Sequence, residues 1–228
     1  MDLEERYYEK LATAFVIGKL KFSDTIYLTS IKESLEKMAP AQLNAIIQAG
    51  IEKGLKLHKF KRTIQLPRVN KVLGILKGLH PEGLLDIGSG RGTFLWPLLD
   101  SFPMLEVTCI DIQSLRVDDI NALHIGGIPN VKAILMDAED IKLQEESFDV
   151  VTALEVLEHI RDPEKALSEA IRVSKRFVVV SVPSKEDNNP EHIHLFNQAV
   201  LHDMLNKIDI SKVNFEYVHN HLIAIVRK

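Results

Sequence analysis

The sequence LLDIGSGRGTF occupies residues 84–94 and carries the most informative pattern in this chain. An apolar run leads into Asp86, and Gly88, Gly90 and Gly92 then alternate with other residues before a segment of helical character. Glycines are needed where the backbone turns sharply and a ligand must approach without a Cβ in the way. The helix after such a turn presents free backbone amides to that ligand. The stretch therefore predicts a strand, a ligand-binding turn and a helix in succession.

Around this stretch, short β-branched runs alternate with segments of helical periodicity. Such alternation is typical of a parallel sheet covered by helices on both faces. The last two runs, VNFEYV and LIAIVR, flank His219 and Asn220 and predict an antiparallel hairpin. The predicted strands are 84–87, 106–110, 131–136, 148–153, 177–182, 212–218 and 221–227. The predicted helices between them include 68–79, 93–101, 154–160 and 163–175.

The chain divides into two parts by pattern, residues 1–66 and residues 67–228. The first part is helical in character: apolar residues recur at helical spacing behind an acidic start. Ser23 or Asp24 can cap a second helix, and Pro40 suits the start of a third. No catalytic motif stands out before residue 67.

Composition excludes several classes of protein. The 228 residues carry a formal net charge of −4, which argues against a globally basic nucleic-acid coat protein. With 46% hydrophobic and 26% charged residues, the chain is neither disordered nor collagenous. A single cysteine excludes an internal disulfide framework, and the first residues lack the apolar run of a signal peptide. We therefore expect a cytoplasmic protein without membrane insertion.

A basic stretch runs from Lys53 to Lys77, with eight Lys or Arg residues and no Asp or Glu. It fits a solvated helix face that acidic residues elsewhere balance. It also fits a strip that faces phosphates, for RNA or an anionic substrate. The sequence alone does not distinguish these two interpretations.

Two acidic residues close neighbouring predicted strands. Asp111 ends EVTCID, where a carboxylate can accept hydrogen bonds from both ribose hydroxyls, and Asp137 ends AILMD, where a carboxylate can meet an exocyclic amine such as that of adenine. Ligands of open α/β sheets bind at this edge. A nicotinamide dehydrogenase would need Gly or Ala at the position of Thr93, so that fingerprint fails and a ligand without a pyrophosphate is favoured.

These residues resemble class I S-adenosylmethionine-dependent methyltransferases, over about residues 67–228. The resemblance implies a Rossmann-like α/β fold, with a seven-stranded, mostly parallel sheet of order 3-2-1-4-5-7-6 and an antiparallel last strand. VSKRFVVV lacks the family's usual Pro-Gly-Gly turn before the fifth strand, so we expect a tighter loop there. The segments that carry the resemblance are DIGSGRG (86–92), FDVVTALEVLEHIRDPEKAL (148–167), VVVSVPS (178–184) and EHIHLFN (191–197).

The resemblance also implies S-adenosylmethionine as cofactor and S-adenosylhomocysteine as product. The sulfonium methyl is already activated, so transfer needs alignment, desolvation and, for some acceptors, a base. Candidate catalytic residues are His159, His194 and Glu155, with Glu158 as an alternative. The implied cofactor-binding residues are Asp86, Gly88, Gly90, Asp111, Ile112, Asp137, Ala138 and Leu154, of which Leu154, together with Glu155, would reach toward the sulfonium.

The spacing Glu155-x-x-Glu158-His159 predicts one shared helix face, to which His192 or His194 could add a ligand. Such a set suits Mn²⁺, Fe²⁺ or Zn²⁺ and resembles the metal site of small-RNA 3′-terminal ribose methyltransferases. The same EVLEH sequence occurs in many family members that use no metal. We therefore assign no metal ligand and keep a divalent cation as an alternative.

The expected function is methyl transfer to a small-molecule acceptor. An RNA acceptor, bound through the basic stretch, is the first alternative, and a non-catalytic, cofactor-binding partner subunit is the second. Residues 1–66 are expected to lie over the mouth of the site, as a lid or in acceptor recognition. The sequence does not predict the oligomeric state.

Overall fold

The computed structural model describes residues 7–21, 35–62, 66–185 and 188–228 of the protein. The helix that Ser23 or Asp24 was expected to cap lies largely outside these ranges. Of that predicted segment, the described part contains a single 3₁₀ turn at Leu35–Lys37.

Seven strands form one sheet in the centre of the protein. Their order is 3-2-1-4-5-7-6, and the seventh strand runs antiparallel to both of its neighbours, which confirms the expected fold. The pairs among the first five strands are parallel. In chain order the strands are β1 (Gly83–Ile87), β2 (Glu106–Asp111), β3 (Val131–Leu135), β4 (Phe148–Leu154), β5 (Ser174–Pro183), β6 (Val213–Val218) and β7 (His221–Arg227).

Helices cover both faces of the sheet, and their apolar sides complete two buried clusters. Among the described residues, no helix is long and apolar enough to span a bilayer. The helices are α1 (Glu9–Lys21), α2 (Pro40–Glu52), α3 (Pro67–Leu79), α4 (Leu95–Ser101), α5 (Ser114–Ile125), α6 (Pro163–Val173) and α7 (Gln198–Lys207).

Two helix boundaries follow from local chemistry. α4 begins at Leu95, two residues later than predicted, so Pro97 lies in its first turn, where a missing backbone N–H costs no helical hydrogen bond. α6 ends at Val173 and β5 begins at the next residue. The tight loop expected before the fifth strand is therefore a direct junction, with no residues between helix and strand.

The predicted helix over 154–160 is wrong. β4 continues to Leu154, and Glu155 then adopts a left-handed backbone with φ of 58°. Only Leu157–His159 forms a helical turn, of the 3₁₀ type. Because the left-handed residue breaks the periodicity, Glu155 does not share a helix face with Glu158 and His159.

Helix α1 packs against α5 by close approach of their backbones. A Cβ on Gly18 would lie 1.9 Å from the carbonyl oxygen of Ala122, and one on Gly126 would lie 1.7 Å from that of Ala14. The apolar residues of α1 belong to the same buried cluster as residues of β1 and β2. The described part of the N-terminal segment therefore shares its core with the sheet.

Candidate functional site

Two adjoining cavities open at the edge of the sheet where the parallel strands end. The larger has a volume of about 1010 Å³ and the smaller about 170 Å³. Predicted site residues that line the larger cavity are Gly88, Gly90, Asp111, Ile112, Asp137, Ala138, Glu155 and His159. Asp86 and Leu154 line the smaller cavity, whereas His194 lines neither. Residues that line both cavities are Gly88, Gly90, Arg91 and Glu155.

The glycine turn forms the wall between the two cavities. Gly88 and Gly90 have φ values of 67° and 54°, a region that side-chain-bearing residues rarely adopt. A Cβ on Gly88 would also lie 2.6 Å from a methyl carbon of Val156. Both glycines are therefore required for this turn, and their backbone faces the space that a ligand would occupy.

Asp86 is a buried carboxylate at the end of β1. Its side chain accepts hydrogen bonds of 2.7 Å each from the hydroxyls of Ser89 and Thr152. Burial raises the pKa of Asp86 to about 6, although these two hydrogen bonds oppose the shift. Near neutral pH the group is therefore a buried negative charge that faces the smaller cavity.

The acidic residues at the ends of β2 and β3 differ in their surroundings. Asp111 is buried, and its two oxygens accept hydrogen bonds from the backbone N–H groups of Gly90 (3.0 Å) and Gln113 (2.9 Å). Asp137 is exposed, and one of its oxygens accepts a hydrogen bond from the N–H of Glu139 at 2.9 Å. Each oxygen keeps a further lone pair for ligand hydroxyls or amines.

A polar cluster surrounds Glu155 at the wall that the cavities share. The Ser181 hydroxyl donates to one carboxylate oxygen. His221 Nε2 lies 3.0 Å, and the Arg68 guanidinium 3.6 Å, from the other oxygen. Sequence reasoning missed Arg68 and His221 as site residues. His221 could have been found from the sequence. It is the first residue of the predicted antiparallel last strand, and such a strand begins at the sheet edge where the parallel strands end.

A second cluster contains Glu158, His159 and His192, whose potential ligand atoms all lie within 4.8 Å of one another. This spacing could hold a divalent cation. The expected set of ligands also contained Glu155, whose carboxylate turns toward β5 and β7 instead. His194, the alternative to His192, places Nε2 2.9 Å from the carbonyl oxygen of Ile160.

The same cluster fastens the loop after β5 to the 3₁₀ turn. The N–H of Ile193 donates to the carbonyl of Glu158 at 2.9 Å, and His159 Nδ1 lies 2.9 Å from the carbonyl oxygen of Glu191. The rings of His159 and His192 pack edge to face, with centroids 4.8 Å apart. The two histidines therefore help to hold the rim of the larger cavity.

The charges of the two cavities suit different chemical groups. The smaller cavity is lined by the guanidinium groups of Arg68 and Arg91 and by the carboxylates of Asp86 and Glu155, and so can bind a group with both an amine and a carboxylate. The larger cavity also has charges of both signs, since Arg91, Arg116 and Arg161 line it together with the carboxylates of Asp111 and Asp137. Its two carboxylates and the exposed apolar side chain of Ile112 suit a hydroxyl-bearing ring system.

Comparison with known proteins agrees with this arrangement. Residues 85–179 match the family described as a methyltransferase domain. A malonyl-[acyl-carrier protein] O-methyltransferase of Geobacter sulfurreducens is 26% identical over 112 residues, which cover 48% of this chain and 42% of that protein. A ubiquinone biosynthesis O-methyltransferase of Idiomarina loihiensis is 34% identical over 117 residues, 47% of each chain. The chain thus spans less than half the length of these curated relatives.

A solved structure shares the fold. The S-adenosylmethionine-dependent methyltransferase from Aquifex aeolicus superposes with a TM-score of 0.57, at 20% identity, over 72% of this chain and 90% of that one. The matched segment contains the glycine turn and the strands β2, β3 and β4. The matched segment, residues 85–179, is thus similar to methyltransferase domains, and the chain shares its fold with an S-adenosylmethionine-dependent methyltransferase.

Proposed function

We propose that this protein transfers the methyl group of S-adenosylmethionine to a small-molecule acceptor and releases S-adenosylhomocysteine. The observation that carries the proposal is the pair of adjoining cavities on either side of the glycine turn, with Asp86 lining the smaller one and Asp111 and Asp137 lining the larger one. The two curated relatives described above are O-methyltransferases, which supports a hydroxyl or carboxyl oxygen as the acceptor atom.

We propose one orientation for the cofactor in these cavities. Its amino-acid end belongs in the smaller cavity, with the carboxylate toward Arg68 and the ammonium toward Asp86. Its adenosine belongs in the larger cavity, with the ribose hydroxyls toward Asp111 and the adenine amine toward Asp137. The sulfonium then lies at the junction, beside Gly88 and Glu155. The remaining part of the larger cavity is left for the acceptor.

The protein's own residues supply alignment and a proton acceptor. Transfer forms a bond between the acceptor oxygen and the methyl carbon and breaks the carbon–sulfur bond, whose electrons remain on sulfur. Glu155 and His159 both line the larger cavity and can take the acceptor's proton. His194 lines neither cavity, so we propose the first two as the catalytic candidates.

The structure favours a small acceptor over RNA. Four residues of the basic stretch form ion pairs with acidic residues, which balances their charge within the protein. These pairs are Lys59 with Asp119, Arg62 with Asp100, Arg68 with Glu155 and Lys71 with Glu216. At least half of the eight basic residues of the stretch are paired in this way, which lowers the attraction of the stretch to phosphates.

We propose residues 67–228 as the methyltransferase domain. Within the described parts of residues 1–66, no residue lines either cavity, and α1 packs on α5 instead. The role of residues 1–66 as a lid stays a prediction.

The proposal is tested by incubating the protein with methyl-tritiated S-adenosylmethionine and a fractionated cell extract. We expect label in the acid-soluble or solvent-extractable fraction and none above background with a boiled protein control. Label in acid-insoluble, RNase-sensitive material would contradict the small-molecule acceptor. Cofactor binding without label in any fraction would contradict methyl transfer itself.

A further inference from the structure

His221 is the first residue of β7, and it reaches the site because this strand is antiparallel. The strand pairs with β5 so that His221 lies opposite Pro183, at the edge where the parallel strands end. The preceding turn places His219 and Asn220 at φ values of 41° and 45°, and the N–H of Ser184 donates to the carbonyl of Asn220 at 2.8 Å. The hairpin therefore fixes the backbone position of His221.

Glu155 meets this ring because of its own backbone. A left-handed conformation is uncommon for a residue with a long side chain and persists only where the surroundings stabilise it. Here the N–H of Glu155 donates to the carbonyl of Ser181 at 2.8 Å. This conformation turns the carboxylate away from Glu158 and toward β5 and β7.

Three elements hold the Glu155 carboxylate. Ser181 on β5 donates to Oε1, while His221 Nε2 on β7 lies 3.0 Å, and Arg68 on α3 lies 3.6 Å, from Oε2. The His221 and Glu155 side chains are 23% and 22% exposed, so a hydrogen bond between them is partly shielded from water. The carboxylate they fix lines both cavities.

We propose that His221 is a positioning residue for the cofactor's charged sulfur. Its ring donates through Nε2–H to Glu155 and keeps that carboxylate at the junction of the two cavities, where it faces the sulfonium. The inference rests on the proposed function. It gives the site a preference for the positively charged S-adenosylmethionine over the neutral product, S-adenosylhomocysteine, and so assists product release.

The test is the ratio of two affinities, measured by titration calorimetry without any acceptor. For Glu155→Gln and His221→Ala, we expect the affinity for S-adenosylmethionine to fall by about tenfold, the size expected for one partly exposed charge near another. The affinity for S-adenosylhomocysteine should stay within about twofold. His221→Gln keeps an amide donor near the position of Nε2 and should restore the wild-type ratio. His219→Asn, in the same turn, is the matched control and should leave both affinities unchanged.

Two results would overturn the inference. In one, His221→Ala lowers both affinities equally, as expected for a purely structural role. In the other, the ratio is unchanged in both His221→Ala and Glu155→Gln. If the variants change the two affinities as expected but the wild-type protein transfers no methyl group, the proposed function alone would be contradicted. A wild-type protein that binds neither compound would contradict both.

Discussion

The buried carboxylate of Asp111 accepts a hydrogen bond from the backbone N–H of Gly90, with 3.0 Å between oxygen and nitrogen. The end of β2 therefore fixes the position of the glycine turn that follows β1. The other carboxylate oxygen of Asp111 accepts a hydrogen bond from the backbone N–H of Gln113, at the start of α5. One side chain thus aligns two of the elements that surround the larger cavity and also offers lone pairs to a ligand there.

Replacing Asp111 tests this double role. Asp111→Ala removes the ribose partner and loosens the glycine turn, so we expect the affinity for S-adenosylhomocysteine to fall by about tenfold to a hundredfold, the range expected for hydrogen bonds to a charged group. Titration calorimetry measures the affinity, and thermal unfolding without ligand checks that the fold survives. Unchanged affinity in a folded variant would remove Asp111 from the cofactor site.

The pH dependence of stability tests the buried charge of Asp86. Burial raises its pKa to about 6, from 3.8 in the unfolded chain, so the folded state binds more protons between these values. The free energy of unfolding contributed by this group is therefore fully present below pH 3.8 and is lost as pH rises to about 6. The loss is about 3 kcal/mol in total.

Asp86→Asn isolates this contribution, because the hydroxyls of Ser89 and Thr152 can rotate to satisfy an amide. We expect the variant's advantage in the free energy of unfolding, measured by urea titration without ligand, to grow between pH 4.5 and 6.5 and then level off. The other titrating groups cancel in this comparison. A difference that is constant with pH would show that Asp86 titrates normally.

The contact between α1 and α5 is tested with two glycines in helices. Gly18→Ala places a Cβ against the carbonyl of Ala122 and should destabilise the protein by about 1–3 kcal/mol. Gly74→Ala in α3 is the matched control: its Cβ meets no atom within 4 Å, and alanine should stabilise the helix by about 0.5–1 kcal/mol. Chemical denaturation measures both. Equal changes in the free energy of unfolding for Gly18→Ala and Gly74→Ala would mean that α1 does not approach α5 as described.

We expect methyl transfer to continue after chelation. His159 and His192 hold the loop after β5, since His159 Nδ1 lies 2.9 Å from the carbonyl oxygen of Glu191. This structural role accounts for the two histidines without a metal ion. Turnover measured with and without EDTA should agree within about twofold, and His192→Ala should lower thermal stability more than turnover. Loss of activity in EDTA, with recovery on addition of Mn²⁺, would show instead that Glu158, His159 and His192 bind a catalytic metal.

Much of the fold follows from local patterns in the sequence. Buried parallel strands are continuous apolar runs, so their positions and the final hairpin could be predicted, and the strand order followed from a resemblance centred on the glycine turn. Asp86, Asp111 and Asp137 were predicted to lie at one sheet edge because strand ends of a parallel sheet meet there, and each of them lines one of the two cavities.

The rest depends on single backbone conformations and distant contacts. The helical spacing of Glu155, Glu158 and His159 predicted one shared face, but the left-handed φ of Glu155 separates them, and nothing in the local pattern marks that residue. Arg68 was counted only as part of a basic stretch. Its contact with Glu155 joins residues that are far apart in the chain, which periodicity does not encode.

The most direct test of the account is a crystal structure of the protein with S-adenosylhomocysteine. We predict the ribose hydroxyls within hydrogen-bond distance of Asp111, the ammonium beside Asp86, the carboxylate beside Arg68 and the sulfur at the wall formed by Gly88 and Glu155. The reversed orientation, with adenine in the smaller cavity, or a ligand bound outside both cavities would contradict the account.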